Sequence, residues 1–270
     1  MSVPSKRTGE TIVTKIQWKK SGAIVTFSDG KVELSENAFT EFRLYEGKVI
    51  TPSEKKKLLA YAKLDGDYNY ALRLLSHKGY SEMELRQKLI NHETGLENRN
   101  KIVSLLKKQG FLDDQEYAAN YAEEALEVKC YGRKRILYEL KEKGIDETVL
   151  AKVKIPKAKE EEAAKRSFEM LLRRYPSLPK RKKQEKITQA LYERGFEEGL
   201  VHQLVAKVPE GDPKLQKNRL EKEFAQAKLR YARKFEGYEL REHIVASLLK
   251  KGYPYEEIKT LLEEDFYEND

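Results

Sequence analysis

Two hydrophobic periodicities divide the chain. Between residues 10 and 50 the pattern is β-like. Ile12, Ile16 and Trp18 punctuate residues 11–19, and residues 23–27 are β-prone. Ser28-Asp29-Gly30 is a hairpin-turn signal, with Val32 and Leu34 alternating after it. This predicts a small antiparallel sheet of two or three strands, then a short helix over residues 37–45. Residues 47–51 are a candidate return to the sheet. Because a lone hairpin is marginal in water, the sheet is expected to pack on the first helices.

At Thr51 the period changes. Thr51-Pro52-Ser53-Glu54 joins an N-cap, a proline at the first helical position and a glutamate three residues on. From there to the end the apolar residues recur at helical spacing. Ala71, Leu72 and Leu75 line one face, and Leu85 and Leu89 the next, which Ser81 and Glu84 open as a capping box. Ile102, Val103, Leu105 and Leu106 follow. Residues 160–174 and 215–235 read as longer helices, and Pro209-Glu-Gly-Asp-Pro213 as a linker.

A phrase recurs along this helical part: Lys78-Gly79-Tyr80, Gln109-Gly110-Phe111, Lys143-Gly144-Ile145, Arg194-Gly195-Phe196 and Lys251-Gly252-Tyr253. A glycine in the left-handed conformation ends a helix, and the apolar residue after it packs back on the last turn. The recurrence predicts tandem modules of about three helices, each too small to bury its own face alone. The expected organisation is a sheet region over 1–50 and helical repeats over 51–112, 113–155, 156–208 and 209–270. The fold class is therefore mainly α, an elongated curved solenoid of three-helix repeats behind a small antiparallel sheet.

Composition fits this picture. Of 270 residues, 36% are charged and 39% apolar, which suits much solvated helical surface. No apolar run approaches the roughly 20 residues of a membrane span. Lys6 and Arg7 are not followed by an apolar stretch, so no secretory signal is expected. A single cysteine, Cys130, allows no intramolecular disulfide and no cysteine-based zinc site. His77, His92, His202 and His243 lie too far apart for an i, i+4 metal pair. These features predict a cytoplasmic protein with no cofactor, no metal and no membrane association.

The net charge of +8 is uneven, with surpluses of +4, +3 and +5 over residues 1–66, 67–112 and 156–208, and −2 over 113–155 and 209–270. Two clusters stand out. Arg133, Lys134 and Arg135 open a helix, where the dipole disfavours cations, so an external anion is one reading and a solvated helix start the other. Arg181, Lys182 and Lys183 repeat the pattern. Asp113 and Asp114 read as a cap for the helix of Tyr117 and Tyr121, and these tyrosines as core residues with hydroxyls at the edge. Gly132 is expected to allow a close turn before the next helix. No Walker loop, dinucleotide fingerprint or nucleophile elbow occurs, so no catalytic residue is assigned and an enzyme is the least supported class.

Ala71-Leu-Arg-Leu-Leu75, Ser81-Glu-Met-Glu-Leu-Arg-Gln-Lys-Leu89, Gly110-Phe-Leu-Asp-Asp114 with Tyr117, Ala118 and Tyr121, and Gly132-Arg-Lys-Arg-Ile136 with Glu139-Leu140 and Gly144-Ile145 form an ordered set. In order and spacing the set resembles the RecX family of regulatory proteins. The likeness is close over about residues 67–155, and residues 186–196 resemble the family's third repeat. The sheet region and the part after about 210 are similar to the family's longer Gram-positive forms.

The resemblance implies a non-enzymatic monomer that binds the RecA recombinase filament on single-stranded DNA and modulates it in recombination, repair and the SOS response. Inhibition is the expected direction, with DNA reached directly or through the filament. Arg86, Lys88, Arg133, Lys134, Arg135, Arg181, Lys182 and Lys183 are the expected partner or DNA contacts. A stand-alone helical DNA-binding protein is the alternative, recognisable by salt-sensitive DNA affinity without a partner. A helical scaffold with no link to nucleic acid is the third reading.

Overall fold

The structure is a computed structural model that describes residues 10–20 and 22–267. Lys6 and Arg7 lie outside these residues. The chain forms two compact units. One contains the described residues up to Tyr117 together with Lys143–Val149; the other contains Ala118–Glu142 and the residues from Leu150 on.

The first unit opens with β1 (Thr11–Lys19), β2 (Gly22–Phe27) and β3 (Gly30–Leu34). After helix α1 (Glu36–Phe42), β4 (Val49–Ile50) returns to the sheet. The order is β3-β2-β1-β4, all antiparallel, with Val25 opposite Val32 and Thr11 opposite Ile50. The sheet thus has four strands, the fourth being the return expected over residues 47–51. Alternation turns Val13, Ala23, Val25, Phe27 and Leu34 inward, against Ala38 and Phe39 of α1 and Leu58 of the next helix. That helix, α2 (Pro52–His77), begins at the expected capping box. Glu54 N–H donates to Thr51 Oγ1 at 3.2 Å, and Thr51 N–H to Glu54 Oε2 at 3.0 Å.

The long α2 serves two cores. Its first turns cover the sheet, and Ala71 further along packs with Leu85 and Leu89 of α3 (Glu82–Asn91) and with Ile102, Val103 and Leu106 of α4 (Leu96–Lys108). Each of these side chains is almost wholly removed from water, worth about 1.5–3 kcal/mol apiece for the larger ones.

Helix α5 (Asp114–Glu124) begins in the first unit and continues into the second. It runs into a π-helical turn, Ala125–Lys129, that stops at Cys130 in the left-handed region, φ 51°. The second unit continues through α6 (Arg133–Glu142), whereas α7 (Glu147–Leu150) belongs to the first unit but for Leu150. Then follow α8 (Lys157–Arg174), α9 (Lys180–Glu193) and α10 (Glu198–Val205). Finally α11 (Pro213–Tyr231), α12 (Gly237–Lys250) and α13 (Tyr255–Tyr267) share a core of Leu220, Phe224, Ile244, Leu248 and Ile258. Asp212 caps α11 by accepting from Lys214 N–H and Leu215 N–H at 2.9 and 3.2 Å, so the proline-flanked linker ends in a helix start.

Four glycines of the repeated phrase, Gly110, Gly144, Gly195 and Gly252, have φ between +76° and +91°. After three of them the next residue donates back into the last turn of the helix, as when Phe196 N–H donates to Leu191 O at 3.2 Å. The first phrase differs. Lys78 is extended, and α2 ends there without a left-handed glycine.

Candidate functional site

The cations singled out from sequence fall in both units and differ in their surroundings. In the first unit, Arg86 donates to Glu82 and Asn100, both at 2.8 Å. Lys88 is exposed in the last turn of α3 and forms no ion pair among the described residues. In the second unit, Arg133, Lys134 and Arg135 leave α6 in different directions. Arg133 borders a cleft beside Glu160 and Glu197, Lys134 faces solvent, and Arg135 faces a groove between α6, α8 and α9. The start of α6 is also not free for an external anion. Arg133 N–H donates to Glu160 Oε1 at 2.7 Å and Lys134 N–H to Gly195 O at 3.2 Å.

In α9, Arg181 is open to solvent beside Glu185 at 3.4 Å, and Lys182 Nζ donates to the same carboxylate at 2.6 Å. Lys183 corrects the expectation of a surface contact, because it is only 3% exposed. It stands one and two turns before the buried Ile187 and Leu191, so the helical period aims it at the core. Burial pushes its ammonium below the ordinary lysine range, against the opposing pull of Glu210.

The residues around Ser81 form a half-buried polar network in the first unit. The capping box is present, and Ser81 Oγ also donates to Lys143 O at 2.6 Å. Lys143 Nζ and Tyr117 Oη donate to the Glu84 carboxylate at 2.7 and 3.1 Å. Burial pushes the Glu84 carboxyl up, but the Lys143 and Ser81 hydrogen bonds outweigh it and hold it below its ordinary value. Asp113 caps α5 as expected, accepting from Gln115 N–H and Glu116 N–H. Asp114 instead accepts from Glu82 N–H at 2.8 Å and caps α3. These groups are consumed by structure.

The surface feature with the richest chemistry is that groove of about 490 Å³ within the second unit. Tyr131 and Arg135 come from the start of α6, Arg174 and Tyr175 from the end of α8, and Lys186 and Arg194 from α9 and its C-cap. Arg174 and Lys186 lie 5.9 and 5.8 Å from the centre of the Tyr175 ring, and Arg135 lies 5.6 Å from that of Tyr131. Arg135 is bound to Glu139 at 2.6 Å, whereas Arg174, Lys186 and Arg194 form no ion pair among the described residues. Glu193 is the one acidic residue lining the groove, held by Gln189 Nε2 at 2.9 Å.

A backbone contact at two glycines joins the α6 and α9 sides of the groove. Gly132 N–H donates to Arg194 O at 2.8 Å, and both Gly132 and Gly195 are buried against each other's segment. Gly132 therefore permits a close approach of two backbones, beyond the local turn expected of it. Of the groove residues, the sequence singles out Arg135 alone. The signal for the others is the interleaving of bases and aromatics in Tyr131-Gly-Arg-Lys-Arg135 and Arg173-Arg-Tyr175.

Among the described residues no group of three or more His, Cys, Asp or Glu is placed to hold a metal ion, and no helix is long and apolar enough to cross a membrane. Left-handed glycines ending α4, α6, α9 and α12, in a helical chain that follows a small antiparallel sheet, define a mainly helical protein of short tandem helices. Residues 68–97 match the first three-helix domain of RecX and residues 113–153 the second. Regulatory protein RecX of Streptococcus gordonii strain Challis is 28% identical over 257 residues, covering 94% of this chain and 99% of its own. That of Limosilactobacillus reuteri DSM 20016 is 29% identical over 264 residues, covering 94% and 98%. A crystal structure of regulatory protein RecX aligns with TM-score 0.58 at 23% identity, over 73% of this chain and all of that one, and shares the fold. Over nearly its whole length the chain is thus similar to RecX regulatory proteins.

Proposed function

We propose that the chain regulates the RecA recombinase by binding the filament that RecA forms on single-stranded DNA and limiting its assembly and activity. The observation that carries this reading is the alignment, along 99% of its length, of a protein named for regulation. In this reading the protein is a cytoplasmic monomer without catalytic chemistry. Residues 51–112, 113–155, 156–208 and 209–270 act as successive helical modules. Each contributes a weak contact, and the contacts add because the first makes the next intramolecular. The DNA is met through the filament or directly.

The contact residues are Arg86 and Lys88 in the first unit and Arg133, Lys134, Arg135, Arg181 and Lys182 in the second, without the buried Lys183. Arg86, Arg135 and Lys182 are already held by intramolecular carboxylates, so each exchanges one partner for another and contributes little net affinity. Lys88 and Lys134 carry no such burden. Titrating the protein into RecA and single-stranded DNA, with ATP hydrolysis as readout, tests the reading. A fall at far less than one copy per RecA protomer is expected; unchanged hydrolysis up to equimolar protein rejects it.

A further inference from the structure

We infer that the groove of the second unit is a nucleotide subsite, one that takes an unpaired base together with its phosphate. This deepens the proposed function by assigning a DNA contact to residues of this chain, and its test needs no RecA.

Charge is the first ground. Three separate segments deliver Arg135, Arg174, Lys186 and Arg194 to one concavity, with Glu193 as the one opposing carboxylate in its lining. The dipole of α8 favours Arg174 at that helix's last turn, but Lys186 sits in the middle of α9 and Arg135 in the first turn of α6, where the dipole gives no support. Arg174 and Lys186 are each within 6 Å of one tyrosine ring and have no carboxylate partner among the described residues. Gathering like charges costs free energy that an anion in the groove recovers.

The aromatics specify which anion. Tyr131 and Tyr175 lie beside the cations, and the guanidinium groups of Arg135 and Arg174 lie over their rings. Aromatic rings and guanidinium planes are the surfaces on which unpaired bases stack, with cations alongside for the backbone. A volume of about 490 Å³ lies within the range of small-molecule sites. A base in a duplex keeps its faces stacked on its neighbours, so the subsite selects single strands or free nucleotides.

The test uses the full chain, a fluorescein-labelled oligothymidylate, the same strand with abasic sites, and a fluorescent ADP analogue. Arg174→Gln with Lys186→Gln should weaken oligothymidylate binding at least tenfold and flatten the slope of log affinity against log salt by about 1.4, the loss of two single-strand phosphate contacts. Tyr175→Leu should weaken it about tenfold, the worth of one stacked base, with the salt slope unchanged. Glu193→Gln should tighten binding, which a misfolded protein would not do. Oligothymidylate binding without ADP-analogue binding places the ligand in a strand. Binding of the analogue with the same residue dependence makes it a free nucleotide. Equal affinity for the abasic strand, or full affinity in the Arg174/Lys186 and Tyr175 variants, overturns the subsite. If these variants keep full oligothymidylate affinity, the subsite falls, while a RecA effect of the wild-type protein leaves the proposed function standing. Absence of any RecA effect from the wild-type protein, with oligothymidylate binding intact, does the reverse.

Discussion

Gly132→Ala is the sharpest structural test, because it strikes the contact that brings the groove together. A Cβ at residue 132 would stand 2.5 Å from the Gly195 carbonyl oxygen, 2.6 Å from its carbon and 2.7 Å from Phe196 Cδ1. Two of these are backbone atoms and cannot rotate away, so the two segments must separate by about 1 Å to reach ordinary contact. That separation stretches Gly132 N–H to Arg194 O, now 2.8 Å, and Lys134 N–H to Gly195 O, now 3.2 Å, beyond hydrogen-bonding range. Overpacking costs about 1–3 kcal/mol, and each lost hydrogen bond about 1 kcal/mol net. The alanine returns about 0.4–1 kcal/mol by restricting the unfolded chain. The expected loss is thus about 2–4 kcal/mol. Urea unfolding followed by helical circular dichroism measures it, with hydrogen exchange at residues 132 and 134 reporting the local opening. Gly199→Ala is the control. It lies in α10, where an added methyl group meets nothing within 4 Å, so it should gain about 0.5–1 kcal/mol. A Gly132→Ala protein within about 0.5 kcal/mol of the parent would refute the close-approach argument.

Further outcomes come from polar groups that structure consumes. Ser81→Ala removes a helix cap and the bond to Lys143 O, and should cost about 2 kcal/mol in chemical denaturation. Because the Glu84 carboxyl is held below its unfolded value, its stabilisation is complete above the unfolded pKa and is lost as pH falls through the folded one. Glu84→Gln should therefore flatten the acid limb of the stability profile; an unchanged limb would remove Glu84 as a source of it. Lys183→Met replaces a buried ammonium by an apolar side chain of similar length and should raise the unfolding midpoint while leaving DNA and RecA effects unchanged. A lower midpoint would mean that Lys183 has a partner worth more than its desolvation.

Local signals are the legible part of the fold. The capping boxes at Thr51 and Ser81 and the left-handed glycines at 110, 144, 195 and 252 act through neighbours in sequence, so residue type and spacing suffice to place them. Lys78-Gly79-Tyr80 has the same spelling without the left-handed glycine, since α2 ends in an extended lysine. Lys183 misleads because a run of four cations suggests solvent on all sides, while the spacing 183, 187, 191 marks the inward stripe. Asp114 misleads because its carboxylate serves a helix that begins 32 residues earlier.

The groove lies beyond sequence reading for the same reason. Its residues come from three segments distant in sequence, two of them joined at the Gly132 and Gly195 backbones and the third, α8, packed on α9, and no local pattern encodes that meeting. The basic clusters are visible, yet the direction each side chain takes depends on helix rotation. Arg133, Lys134 and Arg135 are consecutive and face three different surroundings.

The most direct test of the regulatory role is the length of RecA filaments on single-stranded DNA, followed by electron microscopy or single-molecule imaging during titration with the full chain. Shorter filaments, or filaments that stop growing, at far below one copy per RecA protomer are the predicted result. Filaments of unchanged length and growth rate at equimolar protein would contradict the account.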